Sequence, residues 1–432
     1  MQPRFAGKSF ARERAGIRSS SKEARSLGAK SKMVNSGFVV ATPQRSVCDD
    51  NARVLERRGW LRFIALGTRR GTQGIAPERT LLNPAIGLAA YIGAHSLPPF
   101  LAESFRSRLL PWFDRWVLKH LQPGDHMISS YAYANQCFRY VREHGGRTFL
   151  DAGNSHIENF WEILSEEHRR WKCPTPPIAR HWYERARRML VDVDYVLSPS
   201  SYVTRTFLER GFKPEQILKN VYPLDLTCFK PPAECRPQNR ELRVINTGSL
   251  SLRKGTPYLL EAFRMVLKQE PSARLLLTRI VQDDIKPVLE KYLDLPIEWA
   301  PGLPHDQLAA RLQSADVFVL PSIEDGFART VAEALACGLP VVLTPNTGAR
   351  DLIEPGINGE VVPIRDSAAT AEAILKCWER KRKGDNPPMT KLKETLCFQA
   401  FEKEFLDQLD ARGFGEAPVN GRAGTKNIEL AH

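Results

Sequence analysis

From residue 241 onward, short β-branched and apolar runs alternate with segments of helical periodicity. This alternation constrains the fold of the 432-residue chain more than any other feature. The strand-like runs are ELRVINT (241–247), ARLLLT (273–278), IEWA (297–300), DVFVLP (316–321), PVVLT (340–344) and EVVP (360–363). Between them lie TPYLLEAFRMVLKQ, IKPVLEKYL, HDQLAARLQ, RTVAEALAC and GARDLI, all of helical pattern. Apolar runs without strict alternation fit strands buried on both faces. Strand and helix in turn make a parallel sheet with crossovers, a doubly wound α/β domain.

The first half repeats the scheme in GFVVAT (37–42), LRFIALG (61–67), DHMISSY (125–131), RTFLDAG (147–153) and VDYVLSPS (193–200). Four prolines among polar residues mark 223–240 as a linker. The organisation expected is a basic extension (1–36), a Rossmann-like domain (37–222), the linker (223–240), a second such domain (241–388), a C-terminal helix (389–410) and a disordered tail (411–432). Ligands of such sheets bind beyond the carboxyl ends of the strands, so two facing domains should line a cleft with strand-to-helix loops.

Two of those loops carry chemistry. NTGSLSLRKG (246–255) offers Gly248 for close backbone approach and puts Arg253 and Lys254 beside a helix start, a plausible diphosphate site. It is neither a Walker A sequence nor GxGxxG. PSIEDGFARTVAEALACGLPVV (321–342) places Glu324, Asp325 and Glu333 around a second helix start. The bland account is that Asp325 caps the helix and Glu333 lies on a solvated face. The functional account follows from both loops opening on one sheet edge. Cations would then neutralise a nucleotide diphosphate, Glu333 would hold ribose hydroxyls, and Asp325 with the backbone of Gly326, Phe327 and Ala328 would lie near a transferred group. Arg329 reads either as a further phosphate contact or as a solvated helix residue.

These two runs, with TPNTGARDLIEPGINGEVVPIRD after them, resemble the GT4 family of retaining glycosyltransferases of the GT-B fold over most of residues 244–366. The resemblance continues in VDYVLSPSSYVTRTFLERGFKPEQILKNVYPLDLTCFKP and is thin before about residue 147. It implies transfer of a sugar from a nucleotide-diphosphate donor to an acceptor hydroxyl with retained configuration and no required metal or other cofactor. Residues 37–222 would be the acceptor domain and 241–388 the donor domain. By the same resemblance Lys254 binds the diphosphate, Glu333 the ribose, and Asp325 takes the first place of a paired-acid motif. His156, in DAGNSHIE, stands near donor sugar and acceptor. Three departures are visible: Ser249 where many members have Arg, with Arg253 as the compensating cation; Asp325 in place of Glu, with Glu324 offering a carboxylate one residue earlier; and no glycine pair in ATPQRSV (41–47).

The formal charge of +13 raises a competing class, a nucleic-acid-binding or scaffold protein with a degenerate donor site. Nine basic residues against Glu13 and Glu23 put +7 within residues 1–33, leaving about +6 for the rest. The charge therefore belongs to a dispensable arm, or to translated leader ahead of Met33, and no nucleic-acid partner is expected. Eight cysteines without CxxC or zinc spacing fit reduced thiols in a cytoplasm-like compartment. The acid pair in VDVD (191–194) precedes a buried strand and reads as structural. Residues 80–102 lack Asp, Glu, Lys and Arg, but three prolines, Asn83, His95 and two glycines oppose a spanning helix. The basic aromatic stretch 103–121 suits either an interfacial helix or a core-facing helix with a basic rim. The resulting expectation is a cytoplasmic enzyme at the inner face of a membrane. Its acceptor would be a glycan or lipid-linked molecule of cell-envelope or exopolysaccharide synthesis. Another enzyme of the same fold, such as a nucleotide-sugar epimerase or a phosphorylase, is the rival reading.

Overall fold

A computed structural model describes residues 37–43, 46–68, 72–96, 99–233, 241–278, 280–384 and 392–414. The expected basic extension, residues 234–240 of the linker and residues 415–432 of the tail lie outside the described residues.

Thirteen strands form among the described residues: β1 (Phe38–Thr42), β2 (Leu61–Leu66), β3 (Thr80–Leu82), β4 (His126–Ser130), β5 (Thr148–Asp151), β6 (Tyr195–Ser198), β7 (Ile217–Lys219), β8 (Arg243–Asn246), β9 (Arg274–Thr278), β10 (Ile297–Ala300), β11 (Val317–Leu320), β12 (Val341–Leu343) and β13 (Gly359–Val361). They build two sheets, ordered β3-β2-β1-β4-β5-β6-β7 and β10-β9-β8-β11-β12-β13. Every strand pair is parallel. Both faces of each sheet are buried, which is why the runs are continuously apolar: Val39 and Ala41 enter one core of the first domain, Phe38 and Val40 the other. In the second domain Ile245 and Phe318 face one core, Val244 and Val317 the other. The strand order reverses between β1 and β4 and again between β8 and β11. At such points the loops diverge to opposite faces and leave a crevice.

Two strands have no counterpart in the sequence reading. β3 and β7 are three residues each and sit on opposite edges of the first sheet, too short to show a period. GARDLI forms a 3-10 turn, Gly348–Leu352, rather than an α-helix. The uncharged stretch 80–102 breaks into β3, a helix Pro84–Ser96 and the start of a helix Pro99–Leu118. Among the described residues no helix is long and apolar enough to cross a membrane. In VDVD, Asp192 pairs with Arg142 and Asp194 accepts from Thr148, tying β5 to the turn before β6.

The last helix, Phe398–Asp410, lies on the first domain, not the second. Phe401, Phe405 and Leu409 are buried in the core with Phe38 and Phe149, and Gln408 exchanges hydrogen bonds with the Lys219 backbone. The chain thus passes between domains twice, and the two passages meet where Leu224 N–H donates to the Leu396 carbonyl at 2.8 Å.

Candidate active site

The loops after β8 and β11 flank the switch point of the second sheet. Asn246, the last residue of β8, ties them: its amide donates to the Val319 carbonyl at 2.7 Å and its Oδ1 accepts from Gly248 N–H at 3.1 Å. Gly255 has φ +67°, and a Cβ there would stand 1.8 Å from the Pro321 carbonyl oxygen. Only glycine lets the two loops approach this closely. Arg253 and Lys254 are thereby held directly against Glu324 and Asp325.

Each cation takes one acid. Arg253 donates to the Glu324 carbonyl at 2.9 Å and its carboxylate at 3.2 Å, while the Lys254 ammonium contacts the Asp325 carboxylate. Burial raises the Asp325 carboxyl, but Lys254 and Arg253 together outweigh it and hold the group below the usual range. Glu324 is fully buried and pushed upward by desolvation, which Arg253 offsets in part. The sequence expectation for Glu324 therefore changes. Glu324 is not a spare catalytic carboxylate, because its second oxygen accepts the Ser155 N–H of the first domain at 2.9 Å. Arg253 holds Glu324 through Nη1 in both contacts, and Ser249 sits half-buried in the β8 loop.

The helix Arg329–Ala336 starts after Ala328, a non-glycine residue in the left-handed region at φ 62° and ψ 72°. Such a conformation costs of order 1 kcal/mol and persists only where surroundings impose it. Ala328 at the N-cap makes no side-chain capping bond, and Asp325 accepts from the Phe327 N–H ahead of the helix and pairs with Lys254, so the capping account of Asp325 does not hold. Nor does a solvated-face account of Glu333 hold: the residue is 8 % exposed, and its Oε2 is a buried acceptor without a partner. Burial raises its pKa against the opposing pull of His305 and Arg329. An orphaned buried carboxylate oxygen is costly unless something donates to it. Beyond it, a depression at the ends of β8, β9 and β10 includes Thr247, whose Oγ1 is likewise buried and unpartnered.

The first domain meets this site at a tight seam. A Cβ on Gly326 would lie 2.0 Å from the Gly153 carbonyl oxygen. Ser200, cap of the helix Ser201–Leu208, donates to the Gly326 carbonyl at 2.8 Å, and Ser201 N–H donates to Asp351 at 2.7 Å. Farther out, Arg365 and Tyr258 of the second domain clasp Glu167 at 2.7 Å each. A groove of about 1350 Å³ opens beside the seam, between the β1 loop and Arg329 and His305.

His156 is adjacent to the seam but turned from it. Its Nδ1 accepts from Glu158 N–H at 3.3 Å as cap of the helix Ile157–Arg170, and its ring packs edge-on against Phe207 and Phe212. Burial, with Arg210 adding to it, pushes its pKa down to about 3, so the ring is neutral. These contacts match a satisfied polar residue after a strand rather than one facing a sugar.

A cluster the sequence reading passed over lies at the end of β5. Asp151 is fully buried and accepts from Cys48 Sγ at 3.2 Å and from Tyr222 Oη at 3.3 Å, and burial pushes its pKa up to about 7. Cys48 opens the helix after β1, and the Tyr222 ring packs on Phe327 at 5.9 Å between centroids. Asp151 therefore joins the β1 loop, the interdomain passage and the β11 loop. The position of an acid at a strand end, DAG, was its one sequence signal.

Residues 241–380 match the family model for glycosyl transferases group 1. A putative colanic acid biosynthesis glycosyltransferase, WcaL, of Salmonella typhimurium is 29% identical over 208 residues, 46% of this chain and 51% of that protein. An MMP alpha-(1->4)-mannosyltransferase of Mycolicibacterium hassiacum is 29% identical over 225 residues, 49% and 53% of the two chains. The chain spans about half the length of these curated relatives. Sucrose-phosphate synthase from Thermosynechococcus elongatus superposes with a TM-score of 0.61 at 18% identity, covering 87% of this chain and all of the other. Anabaena HepE, solved in complex with UDP and glucose, gives 0.58 at 14%, with 87% and 100% covered. On these matches the chain has the GT-B fold, and its second domain is similar over residues 241–380 to glycosyl transferases group 1.

Proposed function

We propose that the protein transfers a sugar from a nucleotide-diphosphate donor to an acceptor hydroxyl with retention of configuration, as a GT4-type enzyme of cell-envelope or exopolysaccharide synthesis. The observation that carries this reading is the buried, unpartnered Oε2 of Glu333, one turn into a helix whose preceding loop holds Asp325 against Lys254. A ribose hydroxyl donating to Glu333 would satisfy the orphan. The helix N-terminus and the Lys254 ammonium would meet the diphosphate, so its charge needs no metal in this proposal.

Chemically, these groups are preorganised toward the leaving diphosphate, where negative charge grows as the glycosidic bond breaks. Removing one such donor costs on the order of 3 kcal/mol. Gly326, Phe327 and Ala328 bring backbone to the sugar, and Asp325, once Lys254 turns to phosphate, is free to accept from sugar hydroxyls. The acceptor hydroxyl attacks on the leaving-group face, and a phosphate oxygen takes its proton. The groove beside the β1 loop suits the acceptor, a glycan or lipid-linked molecule met in the cytoplasm at the membrane. Calorimetric titration with UDP-, GDP-, ADP- and dTDP-linked sugars tests the proposal. One donor should bind and Glu333→Ala should abolish that binding. A folded wild-type chain that binds none of them refutes the reading.

A further inference from the structure

The helices Pro84–Ser96 and Pro99–Leu118, inserted between β3 and β4, carry apolar side chains on the face turned to solvent. The longer helix already has a buried apolar side: Leu109, Leu110, Phe113 and Val117 enter the first domain's core or are buried beside it. Its opposite side should be polar in a surface helix. Instead, among the residues whose side chains are described, the exposed positions are Leu101, Phe105, Arg108, Trp112 and Arg115, followed by exposed Lys119, spaced alternately by four and three so that all fall on one stripe. Trp112 is 65 % exposed and Leu101 51 %. On the preceding helix, Leu88, Tyr91 and Ile92 are 51–60 % exposed and share a face at the same spacing. Asp114, of the longer helix, is fully buried and bonded to Arg185.

The order along the stripe identifies the partner. Its first part is apolar, Leu101 and Phe105, and the exposed residues of the helix packed beside it, Leu88, Tyr91 and Ile92, are apolar as well. Its second part is Arg108, Trp112, Arg115 and Lys119, an aromatic among cations. That sequence reproduces the depth profile of a bilayer: hydrocarbon, then the interfacial belt where Trp resides, then anionic head groups. We infer that this helical pair docks the protein on an anionic lipid surface, with Leu88, Tyr91, Ile92, Leu101 and Phe105 inserted and Arg108, Arg115 and Lys119 at the lipid phosphates. The inference rests on the exposed stripe and gives the sugar-transfer reading its site of action.

Sedimentation of the full chain with vesicles of phosphatidylcholine, alone or mixed with phosphatidylglycerol, tests it. Wild type should bind the mixed vesicles. L88S/Y91S/I92S/W112S and R108E/R115E/K119E should each lower the partition coefficient by about tenfold or more. Residues 1–33, common to all variants, contribute equally, so the differences report the helices. All substitutions are at exposed positions, and unchanged melting together with unchanged nucleotide-sugar affinity should accompany the loss. Retention of wild-type vesicle binding by either variant overturns the inference. So does a concentration-dependent dimer that the serine variant abolishes without affecting vesicle binding, since the face would then be a self-interface. Vesicle binding in a chain that binds no nucleotide sugar would leave the surface standing and remove only the transferase reading.

Discussion

Replacing Asp325 with Asn should tighten the binding of a bare nucleoside diphosphate. The four side chains around the β8 and β11 loops carry two positive charges, Arg253 and Lys254, and two negative, Glu324 and Asp325, and so sum to zero. A diphosphate arriving there has to draw Lys254 from Asp325 and lie beside a carboxylate. At an effective dielectric constant near 20, two unit charges about 6 Å apart repel by roughly 3 kcal/mol. Allowing for partial exposure, Asp325→Asn should recover about 2 kcal/mol, or about thirtyfold in affinity for UDP or GDP. The shape is unchanged, and Asn retains an acceptor for the Phe327 N–H. Lys254→Ala does the opposite, leaving the site net negative and weakening the same ligand by about a hundredfold. Calorimetry of both variants with UDP and GDP supplies the measurement, and sugar transfer should fall in both. If Asp325→Asn weakens the diphosphate as much as Lys254→Ala does, the carboxylate is not competing for the ammonium and the electrostatic account is wrong.

Gly326→Ala puts a methyl within 2.0 Å of the Gly153 oxygen and so holds the domains apart. Turnover should drop at least about tenfold while nucleotide binding to the second domain persists, and an unchanged rate would mean the seam plays no part. His156→Ala should cost about 1 kcal/mol in denaturant unfolding through the lost cap, with kcat nearly unchanged. A fall of about a hundredfold in kcat at unaltered stability would instead return the ring to the sugar. Asp151, titrating at about 7 in the fold against an ordinary 3.8, holds its proton more tightly folded than unfolded. Its carboxyl therefore makes stability fall as pH rises through the window between those values, by up to about 4 kcal/mol. Asp151→Asn should flatten that slope in urea melts, and an identical slope would show that the carboxyl is charged at little cost.

The sequence made the second domain legible because its strands are buried on both faces, so VINT, RLLLT and VFVL read as apolar runs without a competing helical period. The first domain was harder where strands were edges: TLL and ILK are too short for any pattern. Lys254, Asp325 and Glu333 could be singled out because charged residues beside helix starts are conspicuous along one chain segment. What could not be read were pairings between segments far apart. Nothing in EDGF says that Glu324 reaches the backbone of Ser155 while Asp325 takes Lys254, since that choice is made by the close approach of Gly255 to Pro321 and Gly326 to Gly153. Ser200 and Asp351 were missed for the same reason, and His156 was placed by resemblance where its own neighbours, Phe207 and Phe212, decide its orientation.

The closing helix on the first domain means that neither half of this protein is a contiguous stretch of chain. A fragment ending near residue 222 would expose the groove that receives Phe401, Phe405 and Leu409 and should aggregate on expression. The same fragment mixed with a separate peptide covering Phe398–Asp410 should be rescued, as a split protein is. The second domain likewise draws Leu224, Leu226, Phe229 and Leu396 into one face of its sheet, so the piece to produce alone for nucleotide-binding work runs from 223 to 396.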